Sequence, residues 1–488
     1  MKRKFLILLA SAAFSFQLNA TSSKETLPTI TAEETYEIDS NNLLQPFEGW
    51  GSSLCWWARM CGTWSEGKLD EIIDWLVSPE GLNMSIFRYN IGGGDDPQNT
   101  HCEPHHMGKG KGLRAEMEGF QDFAGGPYIW ERDAAQRRVM LKIREKRPDA
   151  IFEAFSNSAP WWMTISGCCG GAVKATDDNL NPAFYDAFAH YLVDVCKHYK
   201  DIYGLEFRTL APFNEPNTDY WYANGSQEGC HFNPSTQADF LRVLHPILKA
   251  SGLSTVISTS DETDVSLEVE EIELFRREGL LPYIGQFNTH TYRVNDKSRL
   301  DYRRLGEETG KRIWQSEVGG GGQGIQGNLT LAQKMFDDLN LMRPAAWLDW
   351  QYVEEHGDQW SLVTSSFSDE STAIRNKNYY VRQQVTKYIS PGSRFIPSPC
   401  RQSIAAVDPS GKKLTLVLLN PTEETKRHHI TLKGSLFKGK PFCRYTDKNH
   451  NGVPCPRKAV RRKGNCIQAT LPPLSITTLQ IELKRSIK

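Results

Sequence analysis

Nowhere in the chain do two cysteines stand in C-x-x-C spacing. Neither a zinc-finger nor a haem-attachment pattern is present, so structural zinc and c-type haem are not indicated. The phosphate-cradling G-x-x-x-x-G-K-[ST] loop is missing as well. Charge of one sign is not in excess: 57 Lys and Arg stand against 58 Asp and Glu. That balance gives no reason to expect a nucleic acid or an anionic membrane surface as partner. Beyond the first twenty residues no apolar run is long enough to cross a bilayer. Internal repeats and low-complexity tracts do not occur. No cofactor, no metal and no obligate protein partner is expected from these absences.

The first twenty residues read as an export signal. Lys2, Arg3 and Lys4 form a basic start, Phe5 to Phe16 is mostly apolar, and Leu18-Asn19-Ala20 offers a cleavage point. No cysteine stands there to take a lipid. The expectation is a secreted or periplasmic protein. Eleven cysteines, an odd number, leave at least one unpaired within the chain. Aromatic residues make up 11%, which suits an ordered core and also the flat faces of sugars, which stack on rings.

From about residue 46 to 350, short apolar runs alternate with helix-like stretches. The runs are 49–54, 84–89, 150–155, 207–213, 255–259, 284–289, 312–315 and 345–350. Asn181 and Pro182 open one helix, and Gly204 can close it. Strands alternating with helices imply a parallel sheet. Eight such units fit an α/β protein of the (β/α)8 TIM barrel class. A doubly wound open sheet explains the alternation equally well. After Tyr388 prolines punctuate the chain and β-rich runs without helical period follow, read as a side β-sandwich. The expected organisation is a signal peptide over 1–20, an N-terminal segment over 21–45 that adds to the sandwich, a catalytic barrel over 46–390 and the sandwich over 391–488.

Two segments carry chemistry. Ala211-Pro212-Phe213-Asn214-Glu215-Pro216-Asn217 carries the end of the fourth run onward and Ile313-Trp314-Gln315-Ser316-Glu317-Val318-Gly319-Gly320 the end of the seventh. An acid at the C-terminal end of a barrel strand points into the mouth of the barrel. Two such acids, Glu215 and Glu317, are what glycosidic cleavage with retention requires: one protonates the leaving oxygen and the other attacks the anomeric carbon, at a separation of roughly 5–5.5 Å. Asn214 can bond a sugar hydroxyl. Tyr220 and Trp221, just past the first acid, can line the leaving-group side or simply pack the loop. Gly322-Gln323-Gly324-Ile325-Gln326-Gly327 formally matches the dinucleotide fingerprint, but a lone G-x-G-x-x-G is a weak signal. The His101, Cys102, Glu103, His105 and His106 cluster fits no standard metal spacing and is read as a loop shaping the cleft.

Taken in order, Phe47-Glu48-Gly49-Trp50-Gly51, Phe87-Arg88-Tyr89-Asn90, Ser158-Ala159-Pro160-Trp161-Trp162-Met163, Asn214-Glu215-Pro216, His290-Thr291-Tyr292, Gln315-Ser316-Glu317 and Trp347-Leu348-Asp349-Trp350 resemble glycoside hydrolase family 30. The resemblance runs from about Phe47 to the C-terminus. It implies a retaining (β/α)8 hydrolase with a side sandwich built from both chain ends. Glu215 would be the acid/base and Glu317 the nucleophile. Arg88 would steady the nucleophile, Asp95 would bind sugar hydroxyls, and Trp162 would belong to the −1 subsite. His290 falls among the matched residues near the substrate, Tyr292 would bond the nucleophile, and Trp350 would form the platform under the −1 sugar. Ser52-Ser53-Leu54-Cys55-Trp56-Trp57-Ala58 is similar to the branch of endo-β-1,6-galactanases. Trp56 and Trp57 are then expected to offer ring faces to successive galactose units, or else to pack beneath the first barrel loop. A polysaccharide or oligosaccharide is the expected partner, with galactan on arabinogalactan side chains first. β-1,6-Glucan, xylan or β-xylosides, a glucosylceramidase-type activity and a non-catalytic glycan-binding protein remain open.

Overall fold

The computed structural model describes residues 30–94, 96, 117–355 and 357–487. The export reading of residues 1–20, the position of Asp95 and the His101–His106 cluster lie outside the described residues.

Eight parallel strands close into a barrel in chain order. They are β2 (Gly49–Ser53), β3 (Ile86–Asn90), β4 (Ile151–Phe155), β5 (Thr209–Ala211), β6 (Val256–Asp264), β7 (Ile284–Arg293), β8 (Arg312–Glu317) and β9 (Ala346–Asp349). Closure runs from β9 back to β2, where Gly49 pairs with Ala346 and Ser52 with Asp349. A closed barrel replaces the alternative of an open doubly wound sheet. Each of the eight apolar runs holds one strand, because a parallel strand covered on both faces reads as continuous apolar sequence rather than as alternation.

Helices α1 (Trp57–Cys61), α2 (Glu66–Val77), α3 (Ala134–Lys146), α4 (Tyr185–Tyr203), α5 (Pro234–Ala250), α6 (Val265–Arg277), α7 (Asp296–Thr309), α8 (Gly324–Asp337) and α9 (Lys377–Thr386) follow the strands around the barrel. Local chemistry sets their ends. Before α4 the Asn181 side chain accepts the Ala183 N–H at 3.0 Å, and the helix stops at Gly204 in the left-handed region, φ 62°. Its buried stripe is Phe188, Tyr191, Leu192, Val195 and Tyr199, spaced to face the barrel once per turn.

Strand β1 (Ile30–Asp39) leaves the barrel aside and pairs in parallel with 425–433. It thereby edges a four-stranded sheet that faces a six-stranded one. In the strand 413–420, Leu414, Leu416 and Leu418 point at the opposite sheet. Val417 and Leu419 point the other way, into the core shared with the barrel. That strand is apolar on both faces because it sits between two cores. Phe395 meets Phe47 edge-on with centroids 5.2 Å apart, and the Trp50 indole donates to the Ile389 carbonyl at 2.6 Å. The sandwich thus packs on the flank of the barrel, against α8 and α9 and beside the start of β2. Cys443 and Cys455 form a disulfide within it.

Candidate active site

The inside of the barrel is polar toward its C-terminal mouth, and the organising group is Arg88 on β3. It is wholly buried and within 2.9 Å of Glu153, 2.9 Å of Asp261 and 3.1 Å of Glu317. Burial opposes its charge, but Asp261, Glu153 and Glu317 together hold the guanidinium more firmly protonated than usual. Its plane also lies over the Phe155 ring, 4.1 Å from the centroid. Glu153 on β4 is fully satisfied, accepting from Arg88, Thr209, Ser258 and Asn288 at 2.6–3.0 Å. It is a fixed anchor at the floor of the site.

Glu317 ends β8. Arg88 reaches one of its oxygens, and the Tyr292 hydroxyl at the end of β7 donates to the other at 3.1 Å. Glu215 stands across the mouth, four residues past the end of β5. Its backbone is left-handed, φ 49°, a conformation a non-glycine residue keeps only when its surroundings impose it. The surroundings are explicit: its N–H donates to the Asp261 carbonyl, and its own carbonyl accepts from Thr218 and from the Trp221 indole, each at 2.9 Å. The carboxylate therefore has a set direction, and the Tyr220 hydroxyl donates to it at 2.5 Å.

Between the two acids lies His290 of β7. Its Nδ1 is 3.0 Å from Glu215 and 3.6 Å from Glu317, and its Nε2 is 3.5 Å from Asp261. One carboxylate oxygen of each glutamate and a His290 nitrogen lie within 4.8 Å of one another. Burial alone would lower the imidazole, but Glu317, Asp261 and Glu215 raise it to about 10, so the ring is a cation at neutral pH. Burial pushes both glutamates upward. His290 and then Tyr220 outweigh this at Glu215 and bring it below the usual range. At Glu317, burial with the neighbouring Glu215 charge prevails over His290 and Arg88. Two carboxyls this close do not both ionise readily, so the pair titrates as a unit around one shared proton.

A cleft of ≈ 430 Å³ opens over these groups, lined by Tyr220, Trp221, the Gly225–Gln227 loop, Tyr292, Trp350 and Trp360. Of the residues singled out in the sequence, Glu215, Glu317, Tyr220, Trp221, Tyr292 and Trp350 line it. Asn214 is buried next to Glu215, and its Oδ1 accepts no hydrogen bond among the described residues. Arg88 and His290 are completely buried; they act on the carboxylates rather than on a bound sugar.

Two aromatic assignments are corrected. Trp57 is fully buried in α1, donates to the Ser53 carbonyl at 2.8 Å and packs edge-on against Tyr352. Trp56 is fully buried in a cluster with Cys55, Met117, Phe155, Ala211 and Trp350. Neither presents a ring face to the cleft, because the turn after β2 folds both inward. Trp162 is half-buried, donates to the Gln121 carbonyl at 3.0 Å and packs against Phe184.

The dinucleotide-like run also has another task. The Gly324 N–H at the start of α8, where a pyrophosphate would sit, is already bonded by the Asp358 carboxylate at 3.1 Å. Sequence reasoning missed Asp261, Glu153 and Trp360. Asp261 hides in Ser258-Thr259-Ser260-Asp261-Glu262-Thr263-Asp264, a run too polar to read as strand, and its own φ of 62° breaks the regular ladder.

A family model for O-glycosyl hydrolase family 30 matches residues 33–273. The chain is 29% identical over 406 residues to an endo-β-1,6-galactanase of Hypocrea rufa, covering 80% of this chain and 81% of that one. It is 24% identical over 407 residues to an exo-β-1,6-galactobiohydrolase of Bifidobacterium longum subsp. longum, covering 63% of this chain and 26% of the other. Among solved structures, a conserved exported protein from Bacteroides fragilis superposes with a TM-score of 0.76 at 19% identity, over 92% of this chain and 100% of that one.

Proposed function

The chain belongs to O-glycosyl hydrolase family 30 and is a glycoside hydrolase, and from that premise we propose that it is an exported, retaining endo-β-1,6-galactanase. Glu215 is its acid/base and Glu317 its nucleophile. The observation that carries the mechanism is the approach of the two carboxyl groups, with oxygens within 4.8 Å across the barrel mouth. That is the retaining arrangement, too close for a water to stand between them as inversion requires.

Glu317, held by Arg88 and Tyr292, attacks the anomeric carbon. Glu215 gives its proton to the departing glycosidic oxygen, and a glycosyl ester forms on Glu317. Glu215 then takes a proton from water, the water oxygen bonds to the anomeric carbon, and Glu317 leaves, which returns the original anomeric configuration. The reacting state needs the shared proton on Glu215. A glycosidic oxygen seated against Glu215 accepts a hydrogen bond and so favours that placement. The Oδ1 of Asn214, which accepts no hydrogen bond among the described residues, is suited to a hydroxyl of the same sugar.

The galactan assignment rests on the similarity to a β-1,6-galactanase and a β-1,6-galactobiohydrolase, together with the Ser53-Leu54-Cys55-Trp56-Trp57-Ala58 likeness. Export rests on the basic and apolar first twenty residues. The test is a comparison of β-1,6-galactan, β-1,6-glucan and xylan as substrates of the purified protein, with product sizing. Galactan should be cut to a ladder of oligosaccharides. Cleavage of glucan or xylan alone would overturn the galactan assignment and leave the retaining hydrolase standing.

A further inference from the structure

Resting on that reading, we propose that Trp360 is the stacking platform for the second sugar on the glycone side of the scissile bond, so that the enzyme recognises a galactobiosyl unit rather than a single galactose.

Trp360 is half-buried and lines the cleft with Glu317, Tyr292 and Trp350. Its ring lies beside that of Tyr292, with centroids 6.5 Å apart. A tryptophan serving only the core would be enclosed on both faces, as Trp57 is; Trp360 keeps part of its ring toward the space above the carboxylates. What backs it is glycine. A Cβ placed on Gly320 would meet three carbons of the indole at 2.6–3.1 Å, and one on Gly319 would meet the Trp350 carbonyl oxygen at 1.9 Å. Gly319 and Gly320 thus leave room for the Trp350 carbonyl and let the Trp360 ring lie against bare backbone. The bracing continues on either side: Gly320 N–H donates to the Gln359 carbonyl at 3.2 Å, and Gln351 N–H to the Trp360 carbonyl at 2.7 Å. Such a ring loses little further freedom when a ligand covers it, which is what a binding surface needs.

The side of the cleft follows from the same contacts. Trp360 rests on Gly320, just past Glu317, and beside Tyr292, which bonds the nucleophile, whereas Tyr220 and Trp221 bond Glu215, the group that serves the departing oxygen. The chemistry of the substrate fits. In a β-1,6-linkage a methylene stands between one ring and the glycosidic oxygen, adding a rotatable bond that lets the next sugar turn to face a wall. Galactose, with its axial 4-hydroxyl, offers one face of C–H groups to an aromatic ring.

The test compares wild type, Trp360→Ala and Trp360→Phe on p-nitrophenyl β-galactoside and p-nitrophenyl β-1,6-galactobioside, with thermal melts to verify folding. Trp360→Ala should lower kcat/KM on the galactobioside roughly tenfold, through KM, the size of one lost aromatic contact. The galactoside should change little, and Trp360→Phe should restore most of the loss. Equal losses on both substrates, or none on either, would overturn the assignment. If Trp360→Ala does not fold, Trp360→Leu replaces it. If wild type turns over only the glucose counterparts, the galactan reading fails, and the same one-sugar against two-sugar comparison on those glucosides decides Trp360.

Discussion

His290 stands closer to Glu215 than to Glu317, at 3.0 against 3.6 Å, and as a cation it lowers the proton affinity of both. Catalysis needs Glu317 ionised and Glu215 protonated, so activity should fall on either side of an optimum. Replacing His290 by Gln removes a lowering influence from each carboxyl. Both limbs of the pH–activity curve should then move to higher pH, with reduced kcat and a fold still intact by circular dichroism. An unchanged profile would mean that the imidazolium does not govern the pair. Glu215 itself is separable from Glu317 by leaving group. Glu215→Ala should lose most activity on galactan but far less on an aryl glycoside whose phenolate departs without a proton. A measured loss that is equal on the two substrates would make Glu215 structural.

At the scale of elements, the turn after β2 shows where side-chain identity misleads. Trp56 and Trp57 were candidates for sugar contact, yet α1 turns both into the core. Trp57→Ala should therefore lower stability by about 3–5 kcal/mol and leave KM of the surviving fraction unchanged; a raised KM without a lower melting temperature would contradict the packing. The barrel strands were legible because each is an apolar run bounded by polar punctuation. Their ends were less so. The run 207–213 contains only the short β5, since Pro212 cannot donate to the ladder, whereas β6 continues through polar residues to Asp264 because buried partners meet those side chains, Glu153 at Ser258, Arg88 at Asp261 and the Asn217 N–H at Glu262. Glu215 and Glu317 could be found because each sits in a motif at a strand end. Trp360 could not, because its role comes from glycines forty residues earlier in the chain, a contact that only folding creates.

For the whole molecule, buried acids set a pH dependence of stability. Burial raises Asp133 to about 7, and burial with the nearby Glu268 charge raises Glu271 to about 8. His290 is raised to about 10 by its carboxylates against the opposing effect of burial. All three bind protons more tightly folded than unfolded. Their stabilisation is present in full at low pH and lost as pH climbs through the folded values, so the melting temperature should fall between about pH 6 and 9. Glu271→Gln should flatten part of that decline. A melting temperature that rises across the interval would show that these groups do not hold their protons in the fold.

The arrangement of Glu215 and Glu317 is tested most directly by the configuration of the first product. Proton NMR of a β-1,6-galactooligosaccharide digest, followed from the earliest turnovers, should show the β-anomer of the new reducing end appearing first and the α-anomer growing in later by mutarotation. An α-anomer that appears first would mean single displacement with inversion, and would contradict a nucleophilic Glu317.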